Sequence, residues 1–343
     1  QTLTSLVISS KIDNGSISTY NWKGSLSKLA STDVNLNSLT TTAGNHILTV
    51  YITNPNSNPD EDVTNDTFSI AYQYYVPVET VSESFETTSF VPAAWDIVNP
   101  DNSISWKRVT GYAKTGNASV VVNNYDYTNK GEKDDLRLPE VTLTGMDSAF
   151  LSFQVAAAAY TTLSSGDNEW DTLEVLISTD CGQNYTTLYK KFGSNLVTRI
   201  SSTTNEFRPA ANEWRKDSVD LTNYIGTNNV LLAFRNTNGY ENNIYLDDIN
   251  VRTVKINPNL KSQGFLVTPN PTRGVITVQF YPQPANLRGV QVYNTAGQKI
   301  AEVLTNGQAN NLYSINIANQ PAGMYIVRAV FTDRVITKKI LKQ

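Results

Sequence analysis

The chain has 343 residues, 17% of them charged, with a net charge of −4, 18 Tyr, one Cys and one His. At roughly 100–200 residues per domain, this length predicts two or three domains. One cysteine excludes an internal disulfide and a cysteine-based zinc site, one histidine excludes the H-E-x-x-H pair, and no apolar run approaches the ~20 residues of a membrane span.

Residues 1–78 alternate with period two in "SLVISSKI", "STYNWKG", "DVNLNSL", "NHILTVYI" and "DTFSIAYQYY". Turn signals at Asp13-Asn14-Gly15, at Gly44-Asn45 and in "NPNSNPDEDVTND" separate these runs, which predicts short antiparallel strands in a β-sandwich. His46 falls in one of the runs and reads as a half-exposed strand residue; a Ser-His-Asp triad could use no other base. No signal peptide is visible, because the opening "QTLTSLVISSKI" is already strand-like.

The order "YNWKG", "TTAGNHILTV" and "ND-T" resembles bacterial immunoglobulin-like modules of the CARDB type. That family carries a further strand before "SLVISSKI", so residues 1–80 are expected to be such a module, truncated at its N-terminus.

A longer β pattern follows over residues 81–254. Its strongest strands are "AFLSFQVAAAA", "DTLEVLIS", "NYTTLYKKF", "WRKDSVDLT", "NVLLAFRN" and "NIYLDDINV". No amphipathic helix interrupts them, and about 170 residues of strand fit a jelly roll of two stacked sheets. "ESFE", "SWKR", "KDDLRLPEVTL", "LEVLISTDCGQNYTTLY", "EWRKDSVDLT" and "YLDDINV", in that order, resemble the MAM and cleaved-adhesin jelly rolls. Where that family places a second turn glycine, this chain has Cys181, which assigns the cysteine to a turn.

After a 255–264 linker, residues 260–343 form a third predicted unit. Its strands are "GVITVQF", "GVQVYNTAGQKI", "LYSINIAN", "GMYIVRAVF" and "RVITKKILK". From Leu260 onward nine Lys/Arg face two Asp/Glu, a net +7, against 18 and 29 in the remainder, a net −11. This step in charge supports a boundary near residue 255. No aromatic–basic motif accompanies the basic end, so nucleic acid is not an expected partner.

The stretch "TPNPTRG" opens the third unit. Pro269 and Pro271 fix φ and restrict the residues before them, and Gly274 frees the backbone to enter the next strand. Pro269, Asn270, Pro271 and Gly274, followed by Gly297 of "NTAGQ", Gly323 and Tyr325 of "PAGMYIV", and Lys338 and Lys339 of the last strand, resemble the type A C-terminal sorting domain of type IX secretion cargo. Thr268 stands where that family often has an aromatic.

The resemblance implies an all-β protein of three sandwiches in series, secreted or held at the surface of a Gram-negative bacterium after passing through the periplasm. Its implied partners are the outer-membrane type IX translocon, a shuttle barrel protein and a surface sortase that removes the last domain. The upstream modules are then adhesive or ligand-binding. The alternative is that they trail the catalytic domain of a pappalysin-like metalloprotease; no catalytic constellation is expected within these residues.

Two further sites are expected in the jelly roll. Its first and last strands should be neighbours, which brings Glu86 towards Asp247 and Asp248, with Asp134 and Asp135 nearby. These carboxylates read either as an oxygen cage for a structural Ca²⁺ or as solvated strand ends. Tyr112, Tyr125, Tyr127, Tyr160, Trp170 and Tyr240 lie in polar loops and either stack on a glycan or fold back onto the sandwich. Asp147, Asp171 and Asp217 each precede a Ser or Thr in the short Asp-Ser/Thr-apolar pattern of bacterial O-glycan acceptors.

Overall fold

Four long strands open the chain: β1 (Leu3–Ile12), β2 (Ser18–Leu26), β3 (Gly44–Thr53) and β4 (Thr67–Tyr74). They form one antiparallel sheet in the order β2-β1-β3-β4. The computed structural model describes residues 1–160, 170–305 and 309–343. These fall into two compact units, 1–253 and 254–343.

Register places Ile8 between Tyr20 and Ile52, and Val50 beside Phe68. Because successive side chains alternate faces, Leu6, Ile8, Trp22, Leu48, Val50, Phe68 and Ile70 share one side of this sheet. The expected second sheet is not there among the described residues. No apolar side chain before Val81 is buried, and only Ser9 and Ser10 are.

Backbone bonds from Val78 N–H to Glu140 O (2.9 Å) and from Thr142 N–H to Val78 O (2.9 Å) join this sheet to the next layer pair. That pair comprises β5 (Val81–Glu83), β6 (Asp96–Val98), β7 (Lys107–Thr110), β8 (Ala118–Val122), β9 (Lys133–Arg137), β10 (Ser148–Ala157), β11 (Thr172–Ser178), β12 (Thr186–Phe192), β13 (Arg215–Asp220), β14 (Leu231–Thr237) and β15 (Ile244–Val254). One sheet runs β13-β10-β15-β8-β7, with β5 also on β15; the other runs β12-β11-β14-β9-β6. The first and last strands do pair, Glu83 opposite Ile249. Leu136, Leu151, Phe153, Leu173, Phe234 and Leu246 fill the interior. Each such side chain contributes about 1.5–3 kcal/mol by leaving water.

The second unit begins with a short helix, α1 (Pro258–Gln263), within the span expected to be a linker. The Asn257 side chain caps it by accepting the Asn259 N–H at 2.9 Å, and Gly264 ends it in the left-handed region. Seven strands follow: β16 (Phe265–Thr268), β17 (Val275–Phe280), β18 (Leu287–Asn294), β19 (Lys299–Leu304), β20 (Leu312–Asn316), β21 (Gly323–Phe331) and β22 (Val335–Lys342). They make two antiparallel sheets, β16-β17-β20 and β19-β18-β21-β22, over a core that includes Phe265, Val278, Phe280, Val292, Val327 and Ile340.

Candidate functional site

The "TPNPTRG" stretch lies along the outer edge of β22. Asn270 works in both directions: its Nδ2 donates to Lys339 O at 3.2 Å and its Oδ1 accepts Leu341 N–H at 2.9 Å. Thr272 continues the seal, donating its N–H to Leu341 O at 2.8 Å and accepting Gln343 N–H at 2.9 Å. Pro269 and Pro271 flank Asn270 and supply no N–H of their own, so the segment closes part of the edge without becoming a strand.

By strand alternation, the N–H and C=O groups of Val335 and Thr337 also point away from β21, and among the described residues no strand lies beside them. The outer edge of β22 is therefore half closed, with its open part at Val335–Thr337.

The other sorting residues hold this arrangement. Gly274 has φ of 149°, and a Cβ there would meet Ala318 Cα at 2.6 Å. Gly297 makes the β18–β19 turn at φ 81°, donating to Asn294 O at 3.1 Å. Gly323 begins β21 at φ 154°. Tyr325 is buried and donates its hydroxyl to Pro321 O at 2.7 Å. Lys338 bonds Gln263 of α1, whereas Lys339 is exposed.

The five carboxylates expected as a cage separate into three groups. Glu86 Oε1 accepts the N–H groups of Asn117 and Ala118, each at 2.9 Å. Asp247, fully buried, accepts Lys114 N–H at 2.7 Å and Thr115 N–H at 3.1 Å with Oδ2, and Asp248 N–H at 2.7 Å with Oδ1. Asp248 accepts the Thr115 hydroxyl at 2.6 Å. These three side chains clamp the 114–118 loop, and their oxygens face donors that do the neutralising work of a cation. The backbone N–H bonds hold the Glu86 carboxyl below its usual range, while burial pushes Asp247 up to about 6.

Asp135 points out of the sandwich into a two-pronged pair with Arg235, at 2.7 and 2.8 Å. Asp134 points inward and meets neither group. Among the described residues no three of His, Cys, Asp and Glu come together as a metal cage.

The loop aromatics divide similarly. Tyr127 is a core residue, 1% exposed, donating its hydroxyl to Asp101 at 2.9 Å; it cannot stack on a ligand. Tyr112 packs on a buried cluster beneath the Arg208 guanidinium. Trp170 lies against Gly193, where a Cβ would meet its ring at 3.5 Å.

Tyr125 and Tyr160 pair at 6.0 Å, and Tyr160 N–H donates to Glu241 at 2.8 Å. Tyr240, next to Glu241, is 45% exposed. Asp171 holds that loop by accepting Gly239 N–H at 2.7 Å and Asn242 N–H at 3.0 Å; its burial pushes its carboxyl up to about 7. Of the hydroxyls that follow Asp147, Asp171 and Asp217, Ser148 and Thr172 are half-buried and Ser218 is exposed on β13.

A profile of the secretion system C-terminal sorting domain matches residues 266–343. The chain is a cargo of type IX secretion, exported to the cell surface or the extracellular space. No catalytic family is found within these residues, and no helix is long and apolar enough to cross a membrane. No curated protein matches the chain.

Similar solved structures include two cleaved adhesin domains of Lys-gingipain. K1, from Porphyromonas gingivalis W83, is 21% identical over 50% of this chain and 97% of that one, with a TM-score of 0.37. K2 has the same identity and coverage at a TM-score of 0.38. A third is TmCBM61 in complex with β-1,4-galactotriose, 14% identical over 50% of this chain and 94% of that one, at 0.33.

Sequence reasoning missed the role of Asn270 as a two-way seal and that of Thr272 altogether. It also grouped Asp134 with Asp135. The signal was present in "KDDLRLP": Asp134, Leu136 and Leu138 alternate on one face, and all three are buried.

Proposed function

We propose that the sorting domain is read by the outer-membrane translocon and its shuttle barrel through the open half of the β22 edge. A surface sortase then cuts within 255–264 and attaches the upstream part to the cell surface. The observation that supports this reading is the half-sealed edge, where Val335 and Thr337 present unpaired backbone groups between Arg334 and the exposed Lys339. Strand addition supplies affinity through main-chain bonds, and the net charge of +7 favours an acidic docking surface.

Thr337→Pro removes one edge donor at a position where proline is tolerated. It should leave the domain folded and block export. Export at the wild-type level would sink the strand-addition reading. Intact mass and terminal peptides of the native surface protein test the cut: loss of everything after the linker, with added mass on the new C-terminus, is expected. A surface protein still ending at Gln343 would count against the sortase step.

The jelly roll is then the delivered binding module, with Tyr125, Tyr160 and Tyr240 beside Glu241 as its ligand face. An aromatic surface next to a carboxylate suits a glycan. Tyr240→Ala and Tyr160→Ala should abolish glycan-array binding while leaving thermal unfolding unchanged; binding retained in both would move the site elsewhere.

A further inference from the structure

Asp134 is fully buried, yet neither of its carboxylate oxygens has a hydrogen-bond donor. A buried carboxylate without donors costs several kcal/mol in the effective interior dielectric, so native proteins nearly always answer it. Its position is set by register. Asp135 lies opposite Val98 in the β6–β9 pair, so Asn99, the next residue, follows opposite Asp134. On the other side Asp134 lies opposite Asn236. The row therefore faces the interior, one step from the fully buried Leu136.

Two more side-chain oxygens near this row are buried without partners: Asn99 Oδ1 and Ser105 Oγ. The Asn99 amide nitrogen is already used, donating to Ser103 O at 3.0 Å. The Asn236 amide is used as well, in a reciprocal pair with Asn124 at 2.9 Å each way. Asp101 sits in the same loop, tied by Ser103 N–H at 3.0 Å and the Tyr127 hydroxyl at 2.9 Å.

Among the described residues no cationic side chain answers these groups. Burial pushes the Asp134 carboxyl up to about 6, and the charges of Asp101, Asp135 and Glu132 push the same way. Only the Ser105 hydroxyl, outside hydrogen-bonding geometry, works against the rise. A carboxylate, an amide oxygen and a hydroxyl, unanswered and under a second negative charge, are the donor set of a hard cation.

We propose that Asp134 centres a buried calcium site, completed by the side-chain oxygens of Asn99 and Ser105 and balanced by Asp101, which pins the 99–106 loop to β9. This is a different place from the Glu86–Asp247 clamp, whose oxygens already face N–H donors. Two carboxylates with neutral oxygens and water fill the six to eight positions that Ca²⁺ takes, and Mg²⁺, which needs a tighter octahedron, fits less well.

The test uses the full chain, stripped with chelator and titrated with Ca²⁺ by calorimetry and thermal unfolding. Wild type should bind calcium, and the jelly-roll transition should rise by roughly 5–10 °C at 100-fold excess over Kd. Asp134→Asn should abolish both effects and, in chelator, unfold no lower than wild type, because it removes the unanswered charge. Glu86→Gln should keep them.

Calcium binding that survives Asp134→Asn and disappears with Glu86→Gln would place the ion on the 114–118 loop and overturn the proposal. Absence of any calcium effect on wild type would do the same. Should Asp134→Asn not fold, Tb³⁺ on wild type decides. The Trp106 indole donates to Asp134 O at 3.0 Å, so tryptophan-sensitised Tb³⁺ emission that Ca²⁺ displaces and Trp106→Phe removes is expected. Its absence would overturn the site.

Discussion

Two four-stranded antiparallel sheets of this chain differ in what covers them. In β19-β18-β21-β22 the apolar face meets β16-β17-β20, and Val290, Val292, Val327 and Ala329 are fully buried. In β2-β1-β3-β4 an equally regular apolar row has no facing sheet among the described residues, and Phe68 is 62% exposed. Alternation thus specifies that a strand has an apolar side; it says nothing about whether another layer is supplied to meet it. The sheet ladder and its register form in both cases, so hydrogen bonding and turn chemistry set the strands while burial sets only their depth.

The sharpest contrast is a matched pair of truncations. Phe280→Ala, in the covered sandwich, should cost about 3–5 kcal/mol in chemical denaturation. Phe68→Ala should cost under ~1 kcal/mol. An equal loss at Phe68 would mean that the first sheet's apolar face is covered in solution.

Gly274→Val comes next. It forces a side chain into the Ala318 backbone at a φ that disfavours it, and should destabilise the second unit by about 1–3 kcal/mol. A silent variant would show that the 272–275 turn relaxes freely.

Asn270→Ala removes two bonds from the β22 edge. It should cost about 1–2 kcal/mol and speed amide exchange at Leu341 more than at Ile340, whose amide faces β21. Equal acceleration at both would indicate that the whole strand loosens.

The smallest effect lies in the uncovered sheet. His46 Nδ1 lies 2.8 Å from Asp13 and its Nε2 lies 2.8 Å from Thr42 O, so both ring nitrogens face acceptors and the imidazolium is favoured. The Asp13 hydrogen bond raises the His46 pKa, and the His46 hydrogen bond lowers that of Asp13. The histidine contribution is full below its unfolded value near 6.5 and is lost as pH rises through the raised folded value. The aspartate contribution is present above 3.8 and is lost as pH falls through the lowered one. The pair should therefore support the β1–β3 edge best between about pH 4 and 6.5. An NMR titration of His46 checks this, and a midpoint at or below 6.5 would contradict it.

Much of this was legible. The strands of the jelly roll fall where their alternation places them, and the sorting residues were marked by proline and glycine at fixed spacing. The nearness of Glu86 to Asp247 and Asp248 was legible from the strand order, but their partners were not, because these depend on which loop crosses the sandwich end. The pairing of the first and last strands sets Glu86 and Asp247 near one another, but nothing in "KTGNA" announces that its backbone N–H groups are what they clamp. Tyr127 illustrates the same limit: a tyrosine in a polar loop reads as exposed until Asp101 is found within reach of its hydroxyl. Asp134 was accessible in principle, since two adjacent aspartates in a strand must face opposite ways.

The seal of Asn270 on β22 also imposes an order of events. Leu341 and Asn270 are 71 residues apart, and Gln343 closes on Thr272. During synthesis from the N-terminus, Asn270 and Thr272 wait with unspent bonds until those residues have been made. The β22 edge is therefore the last part of the sheet to be finished, and a chain stopped short of Leu341 would present a longer open edge than a finished one.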